Sequence, residues 1–175
     1  PSRTPHSDMG LLLPHMIPGL AQKMAASARF RDVLLSVCVC KLDEQTETQF
    51  AALCAAMPDG TVYAAFRGTD DTIVGWKEDF SMCFRREIPS QKLAKQYLQD
   101  VLMDHSGPVR VSGHSKGGNV AVYAVSQSVP VIRERILEVY NQDGPGFSEA
   151  FLDDPGYRQI LPLLPTPVPQ SSVIG

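Results

Sequence analysis

The run Val109-Arg-Val-Ser-Gly-His-Ser-Lys-Gly-Gly118 sets a serine, Ser115, between two glycines in the pattern G-x-S-x-G. A serine so spaced serves as an acyl-transfer nucleophile when a strand leads into it and a helix leaves it, because the tight turn presents its hydroxyl at the tip of a sheet. Both conditions are met. Val109 to Ser112 reads as a short strand, and Gly117 to Val129 reads as a helix packing through Val120, Ala121, Ala124 and Val125. The glycines leave room for neighbouring backbone, and the helix N-terminus lies behind the charge that develops on the attacked carbonyl oxygen. The competing reading is a glycine-rich turn carrying a surface serine. The backbone N–H of Lys116 is placed as an oxyanion donor. The side chains of Lys116 and His114 diverge from that of the adjacent serine, so neither reads as its base.

A serine nucleophile needs a base, and the base needs an orienting carboxylate. In α/β-hydrolases, whose nucleophile turn this run resembles, the chain order is serine, acid, histidine. Asp143 follows the next strand, Ile136 to Asn141, within Asp143-Gly-Pro-Gly146, and is favoured as the acid over Asp153 and Asp154. The same tetrapeptide is also ordinary turn chemistry with an aspartate capping the bend. The histidines are His6, His15, His105 and His114, and none follows Asp143. The expectation is that the catalytic histidine lies beyond Gly175 or that the protein lacks one. His105 as a substitute base would demand an unusual topology.

The elements that must hold these groups alternate between strand and helix. A Pro-, Ser- and Gly-rich start turns helix-compatible from Leu20 to Phe30, and residues 1–30 read as an N-terminal extension. Val33 to Lys41 reads as a strand. Residues 49–66 read as a β-hairpin about the turn Pro58-Asp-Gly60. Thr72 is the expected cap of a short helix with Ile73, Trp76 and Phe80 on one face. Residues 91–103 form an amphipathic helix through Leu93, Tyr97, Leu98, Val101 and Leu102. Beyond Asp153 the chain is proline-rich, and Ser172-Val-Ile-Gly175 looks like the start of a strand. This order argues for one domain over residues 1–175 with a mostly parallel sheet and right-handed crossovers.

The chain has 175 residues and a formal net charge of −3, with no basic block, which disfavours nucleic acid or an anionic membrane surface as partner. No apolar run approaches the ~20 residues that span a bilayer, and the start lacks the pattern of a signal peptide. A start at Pro1 rather than Met implies an upstream portion outside this sequence. Cys38, Cys40, Cys54 and Cys83 have no zinc-ligand spacing and read as buried reduced thiols, which favours a cytoplasmic setting.

Phe66-Arg-Gly-Thr-Asp70, Trp76-Lys-Glu-Asp-Phe80 and Gly113-His-Ser-Lys-Gly-Gly118 together resemble the class 3 (fungal-type) lipases. A bacterial group of lipase-like proteins, the Mbeg-like family, is a closer match through Gln49-Phe-Ala-Ala52, Gly75-Trp-Lys-Glu-Asp-Phe80, Gly113-His-Ser-Lys-Gly-Gly-Asn119 and Asp143-Gly-Pro-Gly-Phe147. The resemblance implies an α/β-hydrolase fold: a mostly parallel central sheet with an N-terminal β-hairpin and flanking helices, its C-terminal strands absent from these residues. It implies Thr69 as the second oxyanion donor, through its N–H and often its hydroxyl, and Gly68 clears space for this. It makes residues 70–82 a candidate lid, with Ile73 and Trp76 as acyl contacts. The alternative is that Ile73, Trp76 and Phe80 are core residues. Arg67 and Asp79 read as ion-pair or capping residues. Pancreatic-type lipases carry their acid where Asp143 stands, whereas class 3 lipases carry it one strand later, near Pro169-Gln-Ser-Ser172, where this chain has no carboxylate.

The expected activity is hydrolysis of carboxylic (acyl) esters through an acyl-enzyme on Ser115. The substrate is a small-molecule or lipid ester, and no metal or organic cofactor is implied. Two alternatives stay open: a catalytically inactive hydrolase fold used for binding or scaffolding, and a thioesterase or acyltransferase working from the same site. Fold analogy does not separate these chemistries.

Overall fold

Short-range turn chemistry builds the first half of the sheet. The Asp43 carboxylate accepts from the N–H groups of Gln45 and Thr46 at 3.0 and 3.1 Å, which closes the turn between strands β1 (Leu34–Asp43) and β2 (Thr48–Ala56). Gly60, at φ 83°, turns the chain into β3 (Val62–Phe66), and the Met57 N–H donates to the Thr61 carbonyl across that turn at 2.8 Å. The computed structural model describes residues 17–170 and residue 172. The expected strand after Ser172, and His6 and His15, therefore lie outside the described residues.

Strands β4 (Val109–His114) and β5 (Ile136–Gln142) complete a five-stranded sheet whose spatial order is the chain order. The β1–β2 and β2–β3 pairings are antiparallel, and the β3–β4 and β4–β5 pairings are parallel. The sheet is thus evenly mixed rather than mostly parallel. The physical reason is that β1 joins β2 and β3 through tight turns, which force antiparallel neighbours, and only the later strands are separated by helices.

Those helices are α2 (Ile73–Ser81) and α3 (Pro89–Asp104) between β3 and β4, and α4 (Lys116–Ser126) between β4 and β5. Successive right-handed crossovers in one direction along a sheet put their helices on the same face, and α3 packs on α4 here. On that face Cys54, Ala64, Val111 and Val139 sit in one row across the sheet, all at 0% exposure. α3 meets them with Ala94, Tyr97, Leu98, Val101 and Leu102, a helical stripe in which Ala94 rather than Leu93 is fully buried. Every residue of α4 is buried, as a helix enclosed on all sides requires. The opposite face, with Tyr63, Arg110, Glu138 and Tyr140, is half-buried and carries an Arg110–Glu138 ion pair at 2.8 Å.

Helix α1 (Ile17–Ala26) begins and ends earlier than the sequence pattern implies and buries none of its residues. α4 also ends earlier than expected: Pro130 holds Val129 in an extended conformation (φ −66°, ψ 152°) and opens a separate turn, α5 (Pro130–Arg133). Beyond β5 lie α6 (Glu149–Leu152), where no element was expected, and α7 (Pro155–Ile160), within the stretch past Asp153 that reads as proline-rich. Asp154 caps α7 by accepting from the N–H groups of Gly156 and Tyr157. Phe147, Phe151 and Tyr157 gather around these turns, with Phe151 stacked on Tyr123 of α4 at 5.5 Å. The expectation of buried cysteines holds only for Cys54; Cys38, Cys40 and Cys83 are exposed, and all four are free. The edge position of β1 explains the exposure of Cys38 and Cys40. Among the described residues no helix is long and apolar enough to cross a membrane.

Candidate active site

Strand β4 carries the chain to Ser115 at the C-terminal edge of the sheet, and α4 begins at the next residue. Ser115 adopts φ 54° and ψ −131°, a strained conformation for any residue with a Cβ. Its N–H donates to the Gln142 carbonyl at 3.0 Å and its carbonyl accepts from the Gly118 N–H at 2.8 Å, so the turn is tied on both sides. Close packing leaves no freedom in the flanking residues: a Cβ on Gly117 would stand 2.3 Å from the Phe66 carbonyl oxygen. The N–H groups of Lys116 and Gly117 belong to the first turn of α4, where a helix offers donors and partial positive charge without intrahelical acceptors.

The loop leaving β3 faces this turn. A Cβ on Gly68 would lie 2.6 Å from the His114 carbonyl and 3.5 Å from Ser115 Cβ, so the backbone leading into Thr69 passes directly beside the serine. The Thr69 hydroxyl donates to the Asp79 carboxylate on α2. Burial pushes the Asp79 carboxyl above the usual carboxylate range, against the lowering effects of the Thr69 hydroxyl and the Lys116 charge. Its second oxygen is buried and makes no hydrogen bond among the described residues. Arg67 pairs with Asp70 at 3.1 Å, and Asp70 in turn accepts from the Thr72 N–H at 3.0 Å. Thr72 caps α2 as its sequence position implies, accepting from the Gly75 N–H at 3.0 Å.

Asp143 ends the turn after β5 at φ 54°, buried, with its N–H donating to the Pro167 carbonyl and its carboxylate accepting from the Ser172 hydroxyl. The next residue, Gly144, lies against the elbow: a Cβ there would be 2.9 Å from the Ser115 carbonyl oxygen. Asp143 and Ser115 are therefore brought to the same edge of the sheet. Asp153 and Asp154 are not. Asp153 pairs with Arg158, Asp154 caps α7, and Gly156 packs on the Ser126 carbonyl at the far end of α4. His105 ends α3 next to the start of β4, and the whole of that strand, about 20 Å, separates it from Ser115. His114 is exposed at the end of β4.

Two placements go beyond what the sequence offered. Ile73, Trp76 and Phe80 stand at 75%, 46% and 65% exposure, so the core alternative is excluded; α2 buries Val74, Gly75, Glu78 and Ser81 instead. The Lys116 side chain turns inward, at 1% exposure, and its ammonium donates to the Gln49 carbonyl (2.8 Å), Gln49 Oε1 (2.6 Å) and Glu78 Oε2 (2.9 Å). The sequence shows the Lys116 side chain diverging from Ser115 but not where it goes, and it does not single out Glu78, because the partners lie 38 residues apart and no local period links them. A cleft of about 620 Å³ runs between Arg85, Arg86 and Lys92 on one side and Ser148 and Phe151 on the other, but neither Ser115, Thr69 nor Asp143 lines it. No group of three or more His, Cys, Asp or Glu side chains is placed to hold a metal ion among the described residues.

No curated protein matches the chain. A triacylglycerol lipase from Penicillium expansum, of known crystal structure, is similar with a TM-score of 0.48 and 13% identity. The match covers 78% of this chain, and the chain spans 58% of the length of that lipase. The family model Mbeg1-like matches residues 24–175, and the chain belongs to the Mbeg1-like family.

Proposed function

We propose that the protein is a serine hydrolase of α/β-hydrolase type acting on carboxylic acyl esters, with Ser115 as nucleophile. The observation that carries this reading is the strained Ser115 backbone between a strand and a buried helix. Such a conformation costs roughly 1–3 kcal/mol and persists where the surrounding packing over-determines it, typically at reactive positions. Ser115 Oγ attacks the ester carbonyl carbon while its proton passes to a base. The N–H groups of Lys116 and Thr69 hold the oxyanion. Because the Thr69 hydroxyl is engaged by Asp79, the backbone N–H is the donor at that position. Collapse of the tetrahedral intermediate expels the alcohol, which takes up the proton, and water resolves the acyl-enzyme. Asp143 orients the base, a histidine supplied from outside the described residues. Ile73 and Trp76, exposed on α2 just after Thr69, provide apolar contact for the acyl chain of a small-molecule or lipid ester.

Incubation with a fluorophosphonate probe tests the reading. The expected result is one covalent adduct on Ser115, lost in Ser115→Ala with the melting transition retained. A folded protein that takes up no probe overturns it. That outcome would instead support the second reading, an inactive hydrolase fold used for binding.

A further inference from the structure

The elbow rests on a buried ionic knot. Lys116 and Glu78 are 1% and 0% exposed at their side chains, and they join four separate elements. All three ammonium protons of Lys116 have an acceptor in reach: the Gln49 carbonyl and Oε1 on β2, and Glu78 Oε2 on α2. Glu78 in turn accepts from the Gln49 N–H at 3.0 Å, from the Ser90 N–H at 2.9 Å and from the Ser90 hydroxyl at 2.7 Å, the last two at the start of α3. The same α2 turn touches the opposing donor loop, since a Cβ on Gly75 would stand 3.1 Å from Thr69 Cγ2 and 3.3 Å from Gln49 Oε1.

Burial of two opposite charges is a costly way to gain stability, because an apolar pair of the same volume usually serves as well or better. What the pair adds is direction: each hydrogen bond fixes one element relative to another. We propose, resting on the reading of Ser115 as a nucleophile, that Lys116 and Glu78 are positioning residues whose buried pair clamps α2 to the elbow and holds the Thr69 N–H in register with the Lys116 N–H. Lys116 then contributes twice: its backbone supplies one oxyanion donor, and its side chain fixes the segment that supplies the other. On this basis α2 is a fixed wall of the site and does not swing as a lid, because lifting it would strip Glu78 from Lys116 and leave a buried ammonium without its counter-charge.

Two measurements test the clamp. In the unaltered protein, hydrogen exchange should protect the amides of residues 76–81 about as strongly as those of residues 120–126 of α4; exchange in α2 faster by a hundredfold or more overturns the proposal, whatever the variants do. Second, Lys116→Met alone should lower the melting temperature, while Lys116→Met combined with Glu78→Gln, which removes both charges, should recover most of it. The double variant should still react with the fluorophosphonate probe about 10- to 100-fold more slowly than the parent, as expected when one oxyanion donor is displaced rather than lost. The deficit should lie in the limiting rate, with half-saturation by probe unchanged. A double variant that recovers both melting temperature and labelling rate overturns the proposal by showing a structural pair only. A parent protein that takes no label at all tells against the hydrolase reading itself, an outcome distinct from either.

Discussion

Glu78 and Asp79 are neighbours in sequence with opposite circumstances. Glu78 has a cation in contact, whereas Asp79 is half-buried and, among the described residues, has only the Thr69 hydroxyl as a bonded partner. Because burial holds the Asp79 carboxyl above its ordinary value, folding favours its protonated form. That stabilisation is complete below the ordinary carboxylate value of 3.8 and is lost as pH rises through the elevated one. Asp79→Asn should therefore melt higher than the parent at pH 7 and show a flatter melting profile between about pH 4 and 7; an identical profile would show that Asp79 is already ionised at no cost. Gly117→Ala forces a methyl group onto the Phe66 carbonyl and should destabilise by about 1–3 kcal/mol in denaturant titration. Ser115 and its glycines were legible from sequence because the motif is contiguous and its requirement is steric. The state of Asp79 and the inward turn of Lys116 were not, because both depend on groups brought from other elements.

At the scale of elements, the hairpin about Gly60, the Thr72 cap and the α3 stripe were readable, since each is written in residues a few positions apart. Thr72→Ala removes the acceptor for the Gly75 N–H and should cost about 1 kcal/mol, measured by thermal melting. Features that depend on distant partners were less legible. α2 was offered either as a lid or as a core helix, and its buried side proves to be Val74, Gly75, Glu78 and Ser81, leaving the aromatic residues outward. A period of 3.6 marks a shared face but not which face turns inward when a charged residue finds a buried counter-charge. α6 and α7 went unseen because each is a single short turn, held by the Asp154 cap and the Phe147–Phe151–Tyr157 cluster rather than by any periodic stripe.

Over the whole molecule, the parallel half of the sheet supplies the site and the antiparallel half supplies an edge. Among the described residues no strand lies beyond β1, which leaves Leu34, Leu35, Val37 and Val39 exposed, a template for pairing between chains. Leu35→Lys should suppress concentration-dependent light scattering while changing stability by no more than about 0.5 kcal/mol. The other margin of the sheet is built differently. There the Asn141 and Asp143 N–H groups donate to the carbonyls of Pro165 and Pro167. A proline has no N–H to return, so this seam is stitched in one direction only, and β5 receives nothing back from those residues. A half-laced seam peels at lower cost than a reciprocal one. The 165–167 segment should therefore part from β5 more readily than β4 does, loosening the surroundings of Asp143, the proposed acid, sooner than those of Ser115, which follows β4.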